Sequence, residues 1–181
     1  MSEFYIVHYC HSQCVLLNSI TELPEKEAFK MAEILGKNNG ESFYRFKDFI
    51  HYYPRRIKAE KWLYEWFLES GGKPETKHPL YFVLDRSDFL NEWFDKGKII
   101  KIPLSIIESK HISFTIGDSM ATFKDDFDGI RKEPLLKIEL QKIIEDYNGN
   151  IDEFKKEKGI KYIECQLWDK SYLNDIIKID D

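Results

Sequence analysis

The sequence lacks any apolar run approaching the roughly 18 residues of a membrane-crossing helix, so no membrane span is expected. Its first residues, Met1-Ser2-Glu3-Phe4, lack the basic segment and apolar stretch of a secretory signal. Cysteine is scarce and odd in number: Cys10, Cys14 and Cys165. Without a signal, three cysteines fit free thiols and a cytoplasmic location. Glycine and proline number only 9 and 6, and neither a low-complexity linker nor an internal repeat is visible. No Walker loop, dinucleotide glycine fingerprint, zincin motif or nucleophile elbow is present, which removes the commonest enzyme readings. A net charge of −5 opposes generic polyanion binding, whose affinity rests on neutralising phosphates.

What is present suits a single domain over residues 1–181: 43% hydrophobic residues, 33% charged residues, and 13 Phe, 10 Tyr and 4 Trp to fill a core or line a cleft. Strands are expected at 4–17, 80–84, 99–104, 111–115 and 161–168 from runs of β-branched and aromatic residues. The 99–104 strand holds Pro103, which suits a short or edge strand. Pro24 and Gly36 bracket a helix over 25–35. Residues 42–53 form a second helix that Pro54 ends or kinks, and 55–70 a third with Leu63, Trp66 and Phe67 inward. Further helices are expected at 88–95 and 134–148. Asn150 with Glu153 caps a short one that Gly159 ends. Lys124 to Glu133 reads as a charged loop. Helices gather in the first 70 residues and strands after them, which favours α+β over a doubly wound fold.

Three clusters carry candidate chemistry. His8, Cys10, His11 and Cys14 crowd together, but no second ligand pair completes a tetrahedral set, so no metal is expected. Residues 43–62 interleave rings with six basic residues, Arg45, Lys47, Arg55, Arg56, Lys58 and Lys61. This is the candidate nucleic-acid surface, since rings stack on bases while cations meet phosphates. The same pattern also describes two amphipathic helices with solvated basic faces. Arg55 and Arg56 are the phosphate candidates, because a guanidinium fork matches a pyrophosphate. Third, alternation over 162–168 puts Tyr162, Glu164, Gln166 and Trp168 on one strand face and Ile163, Cys165 and Leu167 on the other. Glu164 is costly if that face is buried and ordinary if it is wet.

The order of these pieces resembles the ADP-ribosyltransferase fold, and most closely the DarT-like toxins that modify DNA. Tyr5-Ile6-Val7-His8-Tyr9 stands where that family has its opening His/Tyr strand motif. Pro79-Leu80-Tyr81-Phe82, with Arg86-Ser87, is similar to its Pro-aromatic-Tyr-Phe and Arg-Ser segments. Phe114-Thr115-Ile116-Gly117-Asp118 resembles its Phe-Thr-Asp-Gly turn, with Ile116 in place of the Asp. Ile163 to Trp168, then Tyr172 to Ile177, resembles its final strand and helix. The resemblance implies a mixed sheet core with a helical N-terminal region and a NAD-consuming toxin-like transferase. NAD would then be a co-substrate and not a resident cofactor. Glu164 would be the catalytic carboxylate, His8 or Tyr9 would hold the adenosine side, and Tyr81 would stack on nicotinamide. Arg55, Arg56 and Arg86 compete for the pyrophosphate. The alternatives are a non-catalytic binding module of the same fold, or an unrelated α+β protein with an aromatic binding surface.

Overall fold

Strand-forming segments from both ends of the chain meet in one sheet. The computed structural model describes residues 3–17, 19–123 and 133–179. The strands are β1 (Tyr5–Cys10), β2 (Leu80–Leu84), β3 (Lys98–Pro103), β4 (Ile112–Ile116), β5 (Leu135–Leu136), β6 (Ile163–Leu167) and β7 (Ile177–Ile179). Their order across the sheet is β5-β4-β6-β2-β1-β3-β7. The helices are α1 (Glu25–Leu35), α2 (Tyr44–Lys47), α3 (Phe49–Glu69), α4 (Asp88–Trp93), α5 (Ser119–Thr122), α6 (Lys137–Asp146) and α7 (Ile151–Lys158). The chain is therefore α+β.

The expectation of a mixed sheet is corrected. Every ladder between these strands is antiparallel, and the parallel pairing among the described residues is an isolated bridge, Gly117 to Ile163. Parallel neighbours need a crossover connection, and none of the helices here links two adjacent parallel strands.

The sheet has two occupied faces. Ile6, Phe82, Ile102, Phe114, Ile163, Cys165 and Leu167 form the larger core with Leu140 of α6 and Ile151 and Phe154 of α7. On the other face, Val7, Tyr9 and Val83 meet Leu90 and Phe94 around α4. There too, Leu63 and Phe67 of α3 pack on Trp168, with the Phe67 and Trp168 rings stacked at 5.7 Å. The N-terminal half of α3 forms a separate cluster with α1 through Ala28, Ala32, Phe49 and Tyr53.

Several expected boundaries shift for local reasons. The first strand stops at Cys10, not residue 17, because the chain turns at once: Cys14 N–H donates to the His11 carbonyl. Pro54 neither ends nor divides the helix; α3 runs through it. Pro54 is the sixth residue of α3, so it leaves the Ile50 carbonyl without its helical N–H partner, and the packing of Phe49 and Tyr53 against α1 holds the helix together across that loss. Residues 135–136 pair with β4 before α6 begins, so the helix expected from 134 starts at Lys137. β3 is interior, between β1 and β7, and Pro103 is tolerated as its last residue. Asn150 caps α7 through Glu153 N–H, and Gly159 closes it at φ 65°, a left-handed conformation that glycine adopts cheaply. Residues 124–132 of the expected charged loop lie outside the described residues. Among the described residues no helix is long and apolar enough to cross a membrane.

Candidate functional site

Strand registers decide which side chains share a face. Val7 pairs with Val83, and Val83 with Glu164; Glu164 also pairs with Thr115. Side chains alternate along each strand, so Tyr9, Tyr81, Glu164, Gln166, Ser113 and Thr115 all point to the face covered by α3 and α4. His8 points to the opposite face, beside Phe82 at 5.6 Å. It donates from Nδ1 to the Tyr81 carbonyl at 2.8 Å, and its Nε2 is buried without a partner. Burial lowers the His8 pKa, with Arg45 adding to the effect against that hydrogen bond, which keeps the ring neutral. Tyr81 and Glu164 are therefore together on one face, and His8 is separated from them by the sheet.

Helix α3 brings its own polar groups to that face. Its inward stripe runs Phe49, Tyr53, Arg56, Glu60, Leu63, Phe67, so a guanidinium and a carboxylate stand where apolar residues would continue. Arg56 Nε donates to Glu60 Oε1 at 3.0 Å, and the guanidinium lies over the Tyr81 ring, 3.7 Å from its centroid. Tyr81 O–H donates to the same Glu60 oxygen at 3.2 Å, and His78 Nδ1 donates to Glu60 Oε2 at 2.6 Å. Burial opposes the Arg56 charge, but Tyr81, Tyr52, Glu60 and Glu164 around it more than restore it. Burial also pushes the Glu60 carboxyl up; His78 and Arg56 outweigh it and hold the group below its usual range.

Ser119, the first residue of α5, joins this cluster to Glu164. Arg56 Nη1 reaches Ser119 Oγ at 3.5 Å, and Ser119 N–H donates to Glu164 Oε1 at 3.3 Å. Gln166 Nε2 donates to the same oxygen at 3.1 Å and to Thr115 Oγ1 at 3.1 Å. The network continues as Trp168 Nε1–H to Ser113 Oγ and Ser113 O–H to Gln166 Oε1. Asp118, just before Ser119, accepts from Met120 N–H, Ala121 N–H and Tyr162 O–H. Glu164 is only 7% exposed, so the face that carries it is dry. Burial, then the Asp118 charge, push its pKa up to about 7, against Arg56 and the bonds from Ser119 and Gln166. The carboxyl is therefore divided between neutral and ionised forms near neutral pH.

The other candidate residues lie elsewhere. Tyr9 shares the face of Tyr81, but its hydroxyl accepts Ser87 N–H at 2.8 Å. Arg55 is exposed and donates to the His51 carbonyl; Arg86 is exposed and paired with Asp88 at 2.9 Å. Arg56 is thus the arginine that the fold carries to Glu164. In the stretch 43–62 most rings and cations part: Phe43, Phe49 and Tyr53 are buried and Lys47, Arg55, Lys58 and Lys61 face solvent, while Tyr44 is exposed and Arg45 lies over the Phe46 ring at 5.0 Å. Cys10, Cys14 and Cys165 are free thiols.

Three participants were missed from sequence: Glu60, His78 and Ser119. The first was legible in principle, because Arg56 and Glu60 are spaced i,i+4 on the stripe that continues to Leu63 and Phe67. His78 and Ser119 enter through loop and strand register, for which the sequence carries no local signal. Comparison with known proteins gives no matching family model, curated relative or solved structure.

Proposed function

We propose that this chain is a NAD-dependent ADP-ribosyltransferase acting on a nucleic acid or a protein, with Glu164 as its catalytic carboxylate. The observation that carries the reading is the meeting of Arg56 and Glu164 on Ser119, on one sheet face and beside Tyr81. That set matches the chemistry. In the reaction the nicotinamide C–N bond breaks with its electron pair leaving on the nicotinamide nitrogen, and the ribose C1′ develops oxocarbenium character. A nucleophile on the acceptor then bonds to C1′ and gives up its proton. An ionised Glu164 stabilises the cation. Arg56 is the pyrophosphate donor, and Tyr81 supplies a ring whose orientation Glu60 fixes. His8, Arg55 and Arg86 have no part in this assignment.

The test is nicotinamide release from NAD. Glu164→Gln keeps the shape of the group and removes its charge, so the rate should fall on the order of 10²–10³-fold while NAD binding by calorimetry persists. The wild-type rate should rise with pH through a midpoint near 7, because only the ionised Glu164 stabilises the cation. A chain that neither binds NAD nor releases nicotinamide is not such an enzyme.

A second reading follows from burial. The Arg56–Glu60 pair and the chain from Trp168 to Glu164 are deeply enclosed, which suits a non-catalytic module whose polar network specifies packing. Loss of stability in Arg56→Lys and Glu164→Gln, with no NAD-dependent activity in wild type, would favour that reading.

A further inference from the structure

A row of rings leads outward from the Glu164 face. Tyr162, two residues before Glu164 and on the same side of the strand, donates its hydroxyl to Asp118 Oδ2 at 3.2 Å. Its ring stacks on Phe89 at 6.3 Å, Phe89 stacks on Trp93 at 5.9 Å, and Trp93 meets Tyr44 edge-on at 5.9 Å. The inner end is half-buried, whereas Phe89 is 43% and Tyr44 61% exposed. Along the outer part runs an open groove of about 430 Å³ lined by Phe89, Trp93, Glu41, Asp88 and Glu92. Each charged residue in that lining is an acid. Asp88 pairs with Arg86 at 2.9 Å and Glu92 with Lys96 at 3.3 Å, and both of these cations are outside the lining.

We propose that this groove is a binding site for an arginine- or lysine-bearing segment of another protein. Aromatic faces attract a guanidinium or ammonium group, and carboxylates on the rim complement its charge. The same carboxylates repel a phosphate backbone, as does the net charge of −5. The site therefore deepens the transferase reading by naming its acceptor class as protein; its consequence for transfer rests on that reading, while binding does not.

The experiment measures the anisotropy of a fluorescein-labelled Gly-Arg repeat peptide on the full chain without NAD, with labelled single-stranded DNA in parallel. The peptide should bind more tightly than the DNA. Phe89→Ala should weaken the peptide about three- to thirtyfold by removing a ring from the cation site. Glu92→Lys should weaken it at least as much, whereas Glu33→Lys, a charge-matched change on an exposed position of α1, should not. Circular dichroism checks that Phe89→Ala is folded, and the surface change Glu92→Lys decides the matter if it is not. Tighter DNA binding, equal effects of Glu92→Lys and Glu33→Lys, or a dimer of this chain dissolved by Phe89→Ala would overturn the proposal. Nicotinamide release is scored separately. Peptide binding without release retains the groove and sinks the transferase; release with transfer to DNA and not to the peptide does the reverse.

Discussion

Changing Glu164 to Gln should alter how stability depends on pH, whatever the chain catalyses. The folded carboxyl titrates near 7, against 4.5 for an ordinary glutamate. Between those values the folded state holds a proton that the unfolded state releases, so wild-type stability falls as pH rises. The contribution is fully present below about pH 4.5 and is lost as pH passes 7. Glutamine has no proton to lose, and its Oε1 still accepts from Ser119 N–H and Gln166 Nε2. Groups common to both proteins cancel in the difference. Between pH 5 and pH 8 the variant should therefore gain about 2–3 kcal/mol relative to wild type, from about 1.4 kcal/mol per pH unit of proton affinity. In a chain of this size that corresponds to about 5–10 °C in the gap between melting temperatures. Urea denaturation of both proteins at the two pH values measures it. A gap that stays constant, or moves in favour of wild type at pH 8, would refute the claim that Glu164 is held in a dry site beside Asp118.

Arg56→Ala and Glu60→Ala should each cost about 3–5 kcal/mol, because each leaves a buried charge without its partner, and the double variant should cost clearly less than both together; additive costs in urea denaturation would count against a coupled pair. Cys14 is held near a pKa of 7 by its hydrogen bond from Cys10, with Arg45 and Lys98 nearby, while Cys10 and Cys165 are pushed up. Iodoacetamide followed by peptide mass mapping should thus label Cys14 first, with a rate rising through pH 7; equal labelling of all three would contradict this. Gly97→Ala should destabilise by about 1–3 kcal/mol or more, since its Cβ would come within 2.3 Å of the Cys10 carbonyl oxygen and 2.8 Å of Ser12 N, both backbone atoms that cannot swing aside; an unchanged melting temperature would mean that the turn after β1 is looser than described.

Much of this fold is written locally in the sequence. Pro24 and Gly36 bracket α1, Asn150 and Glu153 open α7, and the apolar run at 80–84 is a strand buried almost throughout. Alternation over 162–168 correctly divides Glu164 and Gln166 from Cys165 and Leu167. Errors arose where a local signal met a tertiary one. The β-rich composition of 4–17 hides the turn at His11 to Cys14, and Pro54 reads as an end or a kink because an interior proline removes one hydrogen bond. That second error also obscured the site. Across two helices over 42–53 and 55–70, the stripe Phe49, Tyr53, Arg56, Glu60, Leu63, Phe67 has no continuous phase through the proline. Read continuously, it turns Arg56 inward and leaves Arg55 outside, so the choice between adjacent arginines becomes one of helical phase.

The choice between His8 and Tyr9 is of a different kind, because it depends on parity between strands far apart in the chain. Neighbouring residues on β1 face opposite sides, and a shift of one residue would exchange their roles completely. The register fixes the outcome: Val7 to Val83 to Glu164 is one continuous cross-strand row. Tyr9 therefore falls with the catalytic candidate and His8 with the apolar core. Nothing within residues 5–9 determines that row, because each pairing needs β2 and β6 in place. The same row explains why the polar groups are concentrated where they are. Ser113, Thr115, Glu164, Gln166 and Tyr81 occupy adjacent positions on three neighbouring strands, and α3 adds Arg56 and Glu60 above them. Apolar residues of similar volume would pack such a face at no desolvation cost, so stability alone gives no reason for two carboxyls and a guanidinium there. Glu164 in particular is ionised at a cost, because burial and Asp118 outweigh Arg56 and the bonds from Ser119 and Gln166. A further cation developing beside that carboxylate would meet a charge that the fold compensates only in part, and an interaction of that kind favours a transition state over a ground state, which is what the proposed transferase needs.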